Sequence, residues 1–392
     1  MVKIMRKTLY LIFPLLTVII LLTGCATSPE RAEFALPNPP EKVTLMVPLS
    51  GAYADSGKAV RDGFFAAYYY DKQQNTSVPN INIVDTNSGN VRMLYQQAVS
   101  QGANFIVGPL LRSNLQAISS FSVPTLGLNW LQANETHQNL YQFGLSPMDE
   151  TNQVVKKMDA DGRTHVLIIV PNNDWGTRIE NNFAAQWQAL NKNIIGVLKY
   201  TSQQALNKNI ASLLNVDQAY GNEWQLKQIL NQKIRFIPRR RQDFDAIFLA
   251  APPAQAKQIV PLLRFYYVHD IPIYATSSIY DGVPNPHYNR DLDGVMFCDM
   301  PWVLLANDQL PPAVAQIRTQ LQNLWKQNFN QYPRLYALGV DAYFIVSEFN
   351  QLAPSASQGI QGATGALYLT NDRYIVRELV WAKMENGRAI VE

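Results

Sequence analysis

Short apolar runs alternate with longer stretches of helical periodicity along most of the chain. In the first half, the residues Val60, Phe64, Ala67 and Tyr68 form one apolar stripe at helical spacing, which places a helix from about residue 58. The elements predicted around it are strands at 43–47, 81–84, 105–107, 123–126 and 140–143, and further helices at 91–100 and 148–158. This alternation is typical of βαβ units on a parallel sheet.

A second series of the same kind begins near residue 165. Its predicted strands are 166–170, 194–197, 246–249 and 273–275, and its predicted helices are 179–190, 253–266, 312–329 and 335–350. A strand-rich tail follows, with turn signals at Asn371-Asp372 and Asn386-Gly387. The pattern therefore predicts an α/β fold with two similar lobes, each a mostly parallel sheet flanked by helices.

The first 25 residues have the features of an export signal. Lys3, Arg6 and Lys7 precede an apolar run, 8–22, that is short for a membrane span and contains Pro14. The run ends in Leu22-Thr-Gly-Cys25, which resembles a bacterial lipobox. We therefore expect residues 1–24 to be a signal peptide and Cys25 to be acylated; the alternative is an uncleaved N-terminal anchor.

The residue after the cysteine is Ala26, and in the lipoproteins that this segment resembles a residue other than Asp at that place implies sorting to the outer membrane. We therefore expect a lipid-anchored protein that faces the periplasm. Residues 25–40 contain Pro29, Pro37, Pro39 and Pro40 and predict an extended tether. At ~3.1 Å per residue such a tether spans only about 45 Å.

Composition and charge argue against a nucleic-acid-binding protein. The hydrophobic share of 47% is that of an ordinary globular chain, whereas only 16% of residues are charged. The formal charge of +3 comes from the three basic residues of the signal segment, so the mature chain is neutral. A neutral chain has no basic footprint for nucleic acid.

Only one cysteine other than Cys25 is present, so no intramolecular disulfide is expected after lipidation. Cys298 lies in the apolar run 294–298, which favours a buried, inert thiol over a reactive one.

The sequence carries no signature of an enzyme. It has no G-x-S-x-G, S-x-x-K or K-T-G motif and neither a G-x-G-x-x-G nor a Walker loop. Its four histidines are far apart in sequence, so no metal site is predicted. We therefore expect a non-enzymatic protein without a cofactor.

Several segments resemble type I periplasmic binding proteins such as the branched-chain amino-acid receptors. The main ones are 46–57, with the sequence MVPLSGAYADSG, 59–64, 105–110 and 339–342. The resemblance implies two lobes joined by three crossovers, with a ligand cleft at the carboxyl ends of the strands. At the positions where the receptors bind their ligands this chain has Ser50, Tyr53, Ser113, Asn114, Asn129, Trp175, Ser277 and Ser278.

A narrower resemblance is to the C-terminal domain of the LpoA family. It is carried by 238–243 (PRRRQD), 335–342 and 362–368, together with the lipobox. The family comprises outer-membrane lipoproteins that activate a bifunctional, class A penicillin-binding protein. Longer members carry a helical-repeat domain before this one, whereas here we expect only the tether.

The resemblance implies lobe boundaries and a partner. The first lobe is expected at 41–148 plus about 277–350, and the second at 149–276 plus about 351–392. A class A penicillin-binding protein is the expected partner and peptidoglycan a second one. Arg239, Arg240 and Arg241 form a candidate docking patch for the partner or an anionic glycan. The alternative is that these arginines pair with the nearby Asp243 and Asp245 and contact no partner.

The sequence is also consistent with a second class of function. In this alternative the chain is a lipid-anchored receptor for an amino acid, a peptide or a wall fragment that binds in the cleft. Where the receptors place an acid to pair the ligand's ammonium group, this chain reads Thr276-Ser277-Ser278. An unpaired ammonium group would cost kcal/mol of binding energy, which argues against amino acids as ligands.

Overall fold

The computed structural model describes residues 40–75, 77–131, 137–230, 235–236, 239–352 and 359–392. The predicted signal peptide, the acylated Cys25 and the tether up to residue 39 lie outside these ranges and stay predictions. In the described part of the chain, no helix combines the length and the apolar character needed to cross a membrane.

The first half of the chain alternates strands and helices. In order they are β1 (Lys42–Val47), α1 (Ala54–Gln74), β2 (Asn80–Asp85), α2 (Val91–Ser100), β3 (Phe105–Val107), α3 (Arg112–Ala117), β4 (Thr125–Gly127), β5 (Leu140–Phe143), α4 (Pro147–Ala160), β6 (His165–Pro171), α5 (Asp174–Ala189) and β7 (Asn193–Tyr200). Side-chain caps fix several helix starts; Asn173, for example, accepts a hydrogen bond from the Gly176 amide at the start of α5.

The second half begins with helices and ends with strands. Its elements are α6 (Gln203–Leu213), α7 (Val216–Leu230), β8 (Ala246–Leu249), α8 (Pro253–Phe265), β9 (Ile273–Ala275), β10 (Val295–Asp299), α9 (Pro301–Leu304), α10 (Pro312–Leu324), α11 (Lys326–Gln331), α12 (Pro333–Ser347), β11 (Ile360–Gln361), β12 (Ala366–Leu369), β13 (Tyr374–Glu378), β14 (Val380–Glu385) and β15 (Arg388–Val391).

These strands form two mixed sheets, one in each lobe. The first has the order β11-β12-β13-β5-β4-β3-β1-β2 and the second the order β15-β14-β10-β9-β8-β6-β7. In each sheet the strands from the βαβ units are parallel and the last strands of the chain add antiparallel pairs. The predicted two-lobed α/β fold is therefore confirmed, and three connections, β5–β6, β10–β11 and β13–β14, join one sheet to the other.

The sheets do not follow the predicted lobe boundaries at the end of the chain. Residues 295–299 were expected in the first lobe, but β10 pairs with β9 and β14 in the second sheet. Residues 360–378 were expected in the second lobe, but β13 pairs with β5 in the first. Only Leu379 separates β13 from β14, so two strands that look like a single strand-rich tail belong to different lobes.

A close contact between two helices forms the centre of the first lobe. A Cβ atom at Gly63 of α1 would lie 2.1 Å from the carbonyl oxygen of Tyr336, and one at Gly339 of α12 would lie 2.0 Å from that of Val60. The rings of Phe64 and Tyr343 pack edge to face beside this contact, 5.3 Å apart. The two glycines therefore let the helix backbones touch.

The helices differ from their predictions in several places, among them the short helices α3 and α9, which were not predicted. The predicted helix 312–329 is interrupted at Trp325, which separates α10 from α11. Helices α6 and α7 occupy a stretch for which the periodicity predicted no element. Helix α7 is largely exposed, so its sequence lacks the apolar stripe of a packed helix.

Cys298 lies on β10 and is completely buried. Burial raises the pKa of its thiol well above the usual value, which keeps the sulfur protonated and unreactive. The prediction of a buried thiol is confirmed.

Candidate functional site

A pocket of about 480 Å³ opens at the carboxyl ends of β3, β4 and β5, between the lobes. Parallel strands end together at one edge of a sheet, where open α/β folds form their clefts. Most of the lining is apolar, and elements of both lobes contribute to it. The lining residues are Leu110, Arg112, Leu128, Asn129, Trp130, Leu131, Gly144, Leu145, Ser146, Pro147, Met148, Arg178, Leu335 and Leu338.

Of the eight predicted cleft residues, Asn129 is the one that lines this pocket. Its side chain is already engaged, because Nδ2 donates to the Leu110 carbonyl and Oδ1 accepts from the Trp130 amide. Ser113 and Asn114 lie on the short helix α3 and Trp175 lies half-buried at the start of α5. None of these three is among the lining residues.

Ser50 and Tyr53 lie in the turn after β1, away from the lining of the pocket. Ser50 Oγ donates to Asp85 Oδ2 over 2.7 Å, and the Leu49 amide donates to the other carboxylate oxygen. Burial works to raise the pKa of Asp85, but these hydrogen bonds hold it below its ordinary value. Ser50 therefore has a partner within the fold, whereas Tyr53 is exposed.

The hydroxyl groups of Ser277 and Ser278 are both bonded within the fold. Both the amide and the hydroxyl of Ser277 donate to the buried carboxylate of Glu150, over 2.9–3.0 Å. The hydroxyl of Ser278 lies 2.7 Å from that of Thr276. The carboxylate of Glu150 on α4 thus lies at the segment Thr276-Ser277-Ser278, where the receptors place their acid. It is hydrogen-bonded to Ser277 and not presented to a ligand. Sequence reasoning searched only the loop after β9 and missed it.

A cluster of buried charges surrounds Glu150 at the crossovers. Arg377 of β13 lies 3.8 Å from Asp149 and 4.0 Å from Glu150. Asp299 of β10 pairs with Arg334 of α12. Burial raises the pKa of Asp149 to about 7, against the attraction of Arg377, and it raises the pKa of Glu150 as well.

The same cluster extends to the loop before β12. Asp341 of α12 accepts hydrogen bonds from the Ala363 and Thr364 amides and from the Thr364 hydroxyl. Burial raises the pKa of Asp341 to about 6 although these bonds lower it. The cluster therefore ties together the elements through which the chain passes from lobe to lobe.

The three arginines of the candidate docking patch have different environments. Arg240 is buried, pairs with Asp270 at 2.7 Å and stacks over the Phe244 ring. Arg241 binds Asp243 through two nitrogens. Arg239 is exposed. The predicted pairing with Asp243 is therefore present at Arg241. Arg240 pairs with Asp270 instead, and the predicted pairing with Asp245 is wrong, because that carboxylate accepts from Thr164 and His165.

Helix α7 exposes an unusual number of large apolar side chains. Trp224 is 65% exposed and Ile229 77% exposed, and Tyr220, Leu226 and Leu230 are about half exposed. The ring of Tyr220 contacts that of Phe236, three residues before Arg239. Sequence reasoning missed this surface, although the spacing of Tyr220 and Trp224 could have indicated it.

Among the described residues, no group of three or more histidine, cysteine, aspartate or glutamate side chains could hold a metal ion.

The family model described as LppC putative lipoprotein matches residues 34–387. The chain belongs to this family. Its match covers both lobes and both sheets of the described structure.

Curated relatives of the chain carry the name of an activator. The penicillin-binding protein activator LpoA of Vibrio cholerae serotype O1 is 29% identical over 351 residues, which are 88% of this chain and 57% of that protein. The same protein from Vibrio vulnificus is 27% identical over 87% of this chain. The chain therefore spans a little more than half the length of these relatives. Their names are those of activators rather than enzymes, in agreement with the sequence analysis.

The fold matches a solved structure over nearly its whole length. The C-domain of LpoA from Haemophilus influenzae, described as a regulator of PBP1A, has a TM-score of 0.68 and 25% identity, covering 90% of this chain and 99% of that domain. Full-length LpoA from the same organism also gives a TM-score of 0.68, but only 60% of it is covered. The chain thus corresponds to the C-terminal domain of LpoA, as its motifs indicated.

Proposed function

We propose that the two-lobed body binds a bifunctional, class A penicillin-binding protein and activates its transpeptidase allosterically. The observation that carries this proposal is the match of the whole two-lobed body to the LpoA C-domain, described as a regulator of PBP1A. The chain acts on the outer membrane's periplasmic side, anchored through acylated Cys25, and peptidoglycan lies within its reach.

Activation needs a difference in affinity between two states of the synthase. A bound protein shifts a conformational equilibrium only as far as it binds one state more tightly than the other. We propose that the body binds the state in which the transpeptidase site is competent. No group of the lobes then has to enter the synthase's active site.

We place the docking surface on helix α7 and on the loop that carries Arg239. Exposed tryptophan, tyrosine and arginine side chains are the residue types that dominate the energy of protein interfaces. Trp224 and Tyr220 offer aromatic anchors, and Arg239 has a guanidinium group exposed to solvent. Arg240 and Arg241 support this loop from within instead of contacting the partner.

An amino-acid receptor has less support than the activator. Among the described residues that line the cleft pocket there is no aspartate or glutamate to pair the ammonium group of an amino acid. Glu150, the acid nearest the predicted position, is buried and bonded to Ser277.

The test is a titration of residues 26–392 against the organism's class A penicillin-binding proteins, together with a peptidoglycan crosslinking assay. We expect saturable binding with a micromolar or lower Kd and a higher crosslinking rate. Trp224→Ala and Arg239→Gln should each weaken binding at least tenfold. Met93→Ala is the matched control, because Met93 is 68% exposed on α2 of the other lobe.

Three outcomes separate the parts of the proposal. Absence of binding to every class A synthase would refute the function. Binding without a change in crosslinking would refute activation. Binding that Trp224→Ala and Arg239→Gln leave at full strength would refute the docking surface and keep the function.

A further inference from the structure

The cleft pocket presents two arginines from opposite lobes to an apolar cavity. Arg112 lies at the first turn of α3 in the first lobe and Arg178 on α5 in the second. Among the ion pairs and hydrogen bonds that join described residues, neither guanidinium group takes part in one. Arg334 of α12, by contrast, is paired with Asp299.

Other polar side chains of the pocket add donors. Trp130 Nε1 is buried beside Gly144 and has no acceptor among the described residues. Ser146 Oγ accepts from the Met148 amide, which leaves its hydroxyl hydrogen free to donate. The amide group of Asn129 is occupied at both ends. The side chains of the described lining therefore offer unpaired N–H donors and positive charge, and none of them is a carboxylate.

The rest of the lining is apolar. Leucines from three loops and from α12 surround the space, and the pocket volume of about 480 Å³ lies in the range of small-molecule sites, ~300–1,000 Å³. Apolar walls with a few convergent polar groups are the usual composition of such sites. A ligand that fits must accept hydrogen bonds at one end and bury an apolar body at the other.

We propose that this pocket binds a small monocarboxylate with an aromatic or branched aliphatic body and no ammonium group. Arg112 and Arg178 hold the carboxylate from the two lobes, since a guanidinium group matches a carboxylate in both charge and geometry. The leucines receive the apolar body. Because the two arginines belong to different lobes, a ligand that contacts both stabilises the lobe arrangement in which both line the pocket.

Thermal unfolding of residues 26–392 with three matched probes tests the proposal. The three matched probes are 3-phenylpropanoate, its neutral amide and the zwitterion phenylalanine. A fourth compound, 4-methylpentanoate, tests an aliphatic carboxylate. Binding to the folded state raises the melting temperature in proportion to ln(1 + [L]/Kd). We expect one or both carboxylates to bind, and the amide and phenylalanine to bind at least tenfold more weakly.

Substitutions then locate the site. Arg112→Gln and Arg178→Gln should each lower the affinity for the carboxylate at least tenfold, while Arg112→Lys and Arg178→Lys keep the charge and should lose less. Arg388→Gln on β15 is the matched control, an exposed arginine of the second lobe. Far-UV circular dichroism and the melting temperature without ligand confirm that each variant is folded.

Four results would overturn the proposal. They are no shift with either carboxylate at 10-millimolar concentration, equal shifts with acid and amide, tighter binding of phenylalanine, and a carboxylate shift that both Gln variants leave intact. Ligand binding here and docking of a synthase are measured in separate assays, so either can fail without the other.

Discussion

Arg377 Nε lies 3.8 Å from Asp149 Oδ2, and both side chains are almost completely buried, with 1% and 4% of their surface exposed. The pair joins β13 of the first sheet to α4, the helix that leads into the second lobe. Within the described part of the chain, neither Asp149 Oδ2 nor Arg377 Nε has a hydrogen-bond partner, so the attraction between the two charges compensates their burial.

Removal of this guanidinium group should destabilise the fold strongly. Arg377→Met leaves the Asp149 and Glu150 carboxylates buried without their cation, and breaking a buried pair in this way costs about 3–5 kcal/mol. We expect that loss in the free energy of unfolding, measured by urea denaturation. Arg388→Gln, at an exposed position, should change it by less than about 0.5 kcal/mol. Equal effects of the two substitutions would show that the buried pair does not stabilise the lobe junction.

The pKa of Asp149 predicts a pH dependence with an unusual sign. Burial raises this pKa to about 7, above the value near 3.9 of an unfolded chain. Between these values the folded state holds more protons than the unfolded state, so ionisation lowers the free energy of unfolding as the pH rises. The Asp149→Asn variant does not ionise at this position, so its free energy of unfolding lacks this contribution to the pH dependence.

The measurement is the difference in melting temperature between Asp149→Asn and the wild type. We expect this difference to change in favour of the variant by roughly 2 °C or more between pH 5 and pH 8. A difference that stays constant over this range, or that changes in favour of the wild type, would mean that Asp149 ionises at an ordinary carboxyl pKa. Burial also raises the pKa of Asp341 to about 6, so Asp341 lowers the free energy of unfolding with rising pH in the wild type and the variant alike. Its effect therefore cancels in the difference.

Local periodicity predicted the βαβ units well because their central strands are buried on both faces and their helices carry one apolar stripe. Strand β1, for example, is buried along nearly all of its length. Strands β11 to β13 were assigned to the wrong lobe because the pairing of β13 with β5 joins residues more than 200 positions apart. A strand's own sequence contains no record of which sheet completes its hydrogen bonds.

The candidate site was harder to predict than the fold. Ser277 looked like a free hydroxyl in a cleft loop, yet a carboxylate from α4, 127 positions earlier, binds it. Arg112 and Arg178 are isolated in the sequence, and only the folded arrangement of the two lobes brings both to one pocket. Their role depends on tertiary contacts, which periodicity and motif spacing do not encode.

The glycine contact between α1 and α12 gives a prediction about packing. Gly63→Ala and Gly339→Ala each place a methyl group about 2 Å from a backbone oxygen of the other helix. The helices must separate, and such overpacking costs about 1–3 kcal/mol of unfolding free energy. The matched control is Gly221→Ala on α7, where a Cβ atom meets nothing within 4 Å. There the higher helix propensity of Ala should raise stability by up to about 1 kcal/mol. Losses of similar size at all three positions would contradict the close contact.

Two adjacent arginines should behave in opposite ways. The buried Arg240 donates to the Tyr267 and Arg241 carbonyls and pairs with Asp270, so Arg240→Met removes several charge-assisted hydrogen bonds and should cost about 2–3 kcal/mol. Arg239 is exposed, and Arg239→Gln should change the free energy of unfolding by less than about 0.5 kcal/mol.

Urea denaturation and a binding titration separate these two roles. We expect Arg239→Gln to keep its stability and to lose affinity for the synthase, because its guanidinium group is free to contact a partner. Arg240→Met at a temperature where it is fully folded should bind with nearly the wild-type Kd. If Arg240→Met instead lowered the affinity while unfolding at the wild-type urea concentration, Arg240 would contact the partner directly, and the internal ion pair with Asp270 would have to open on binding.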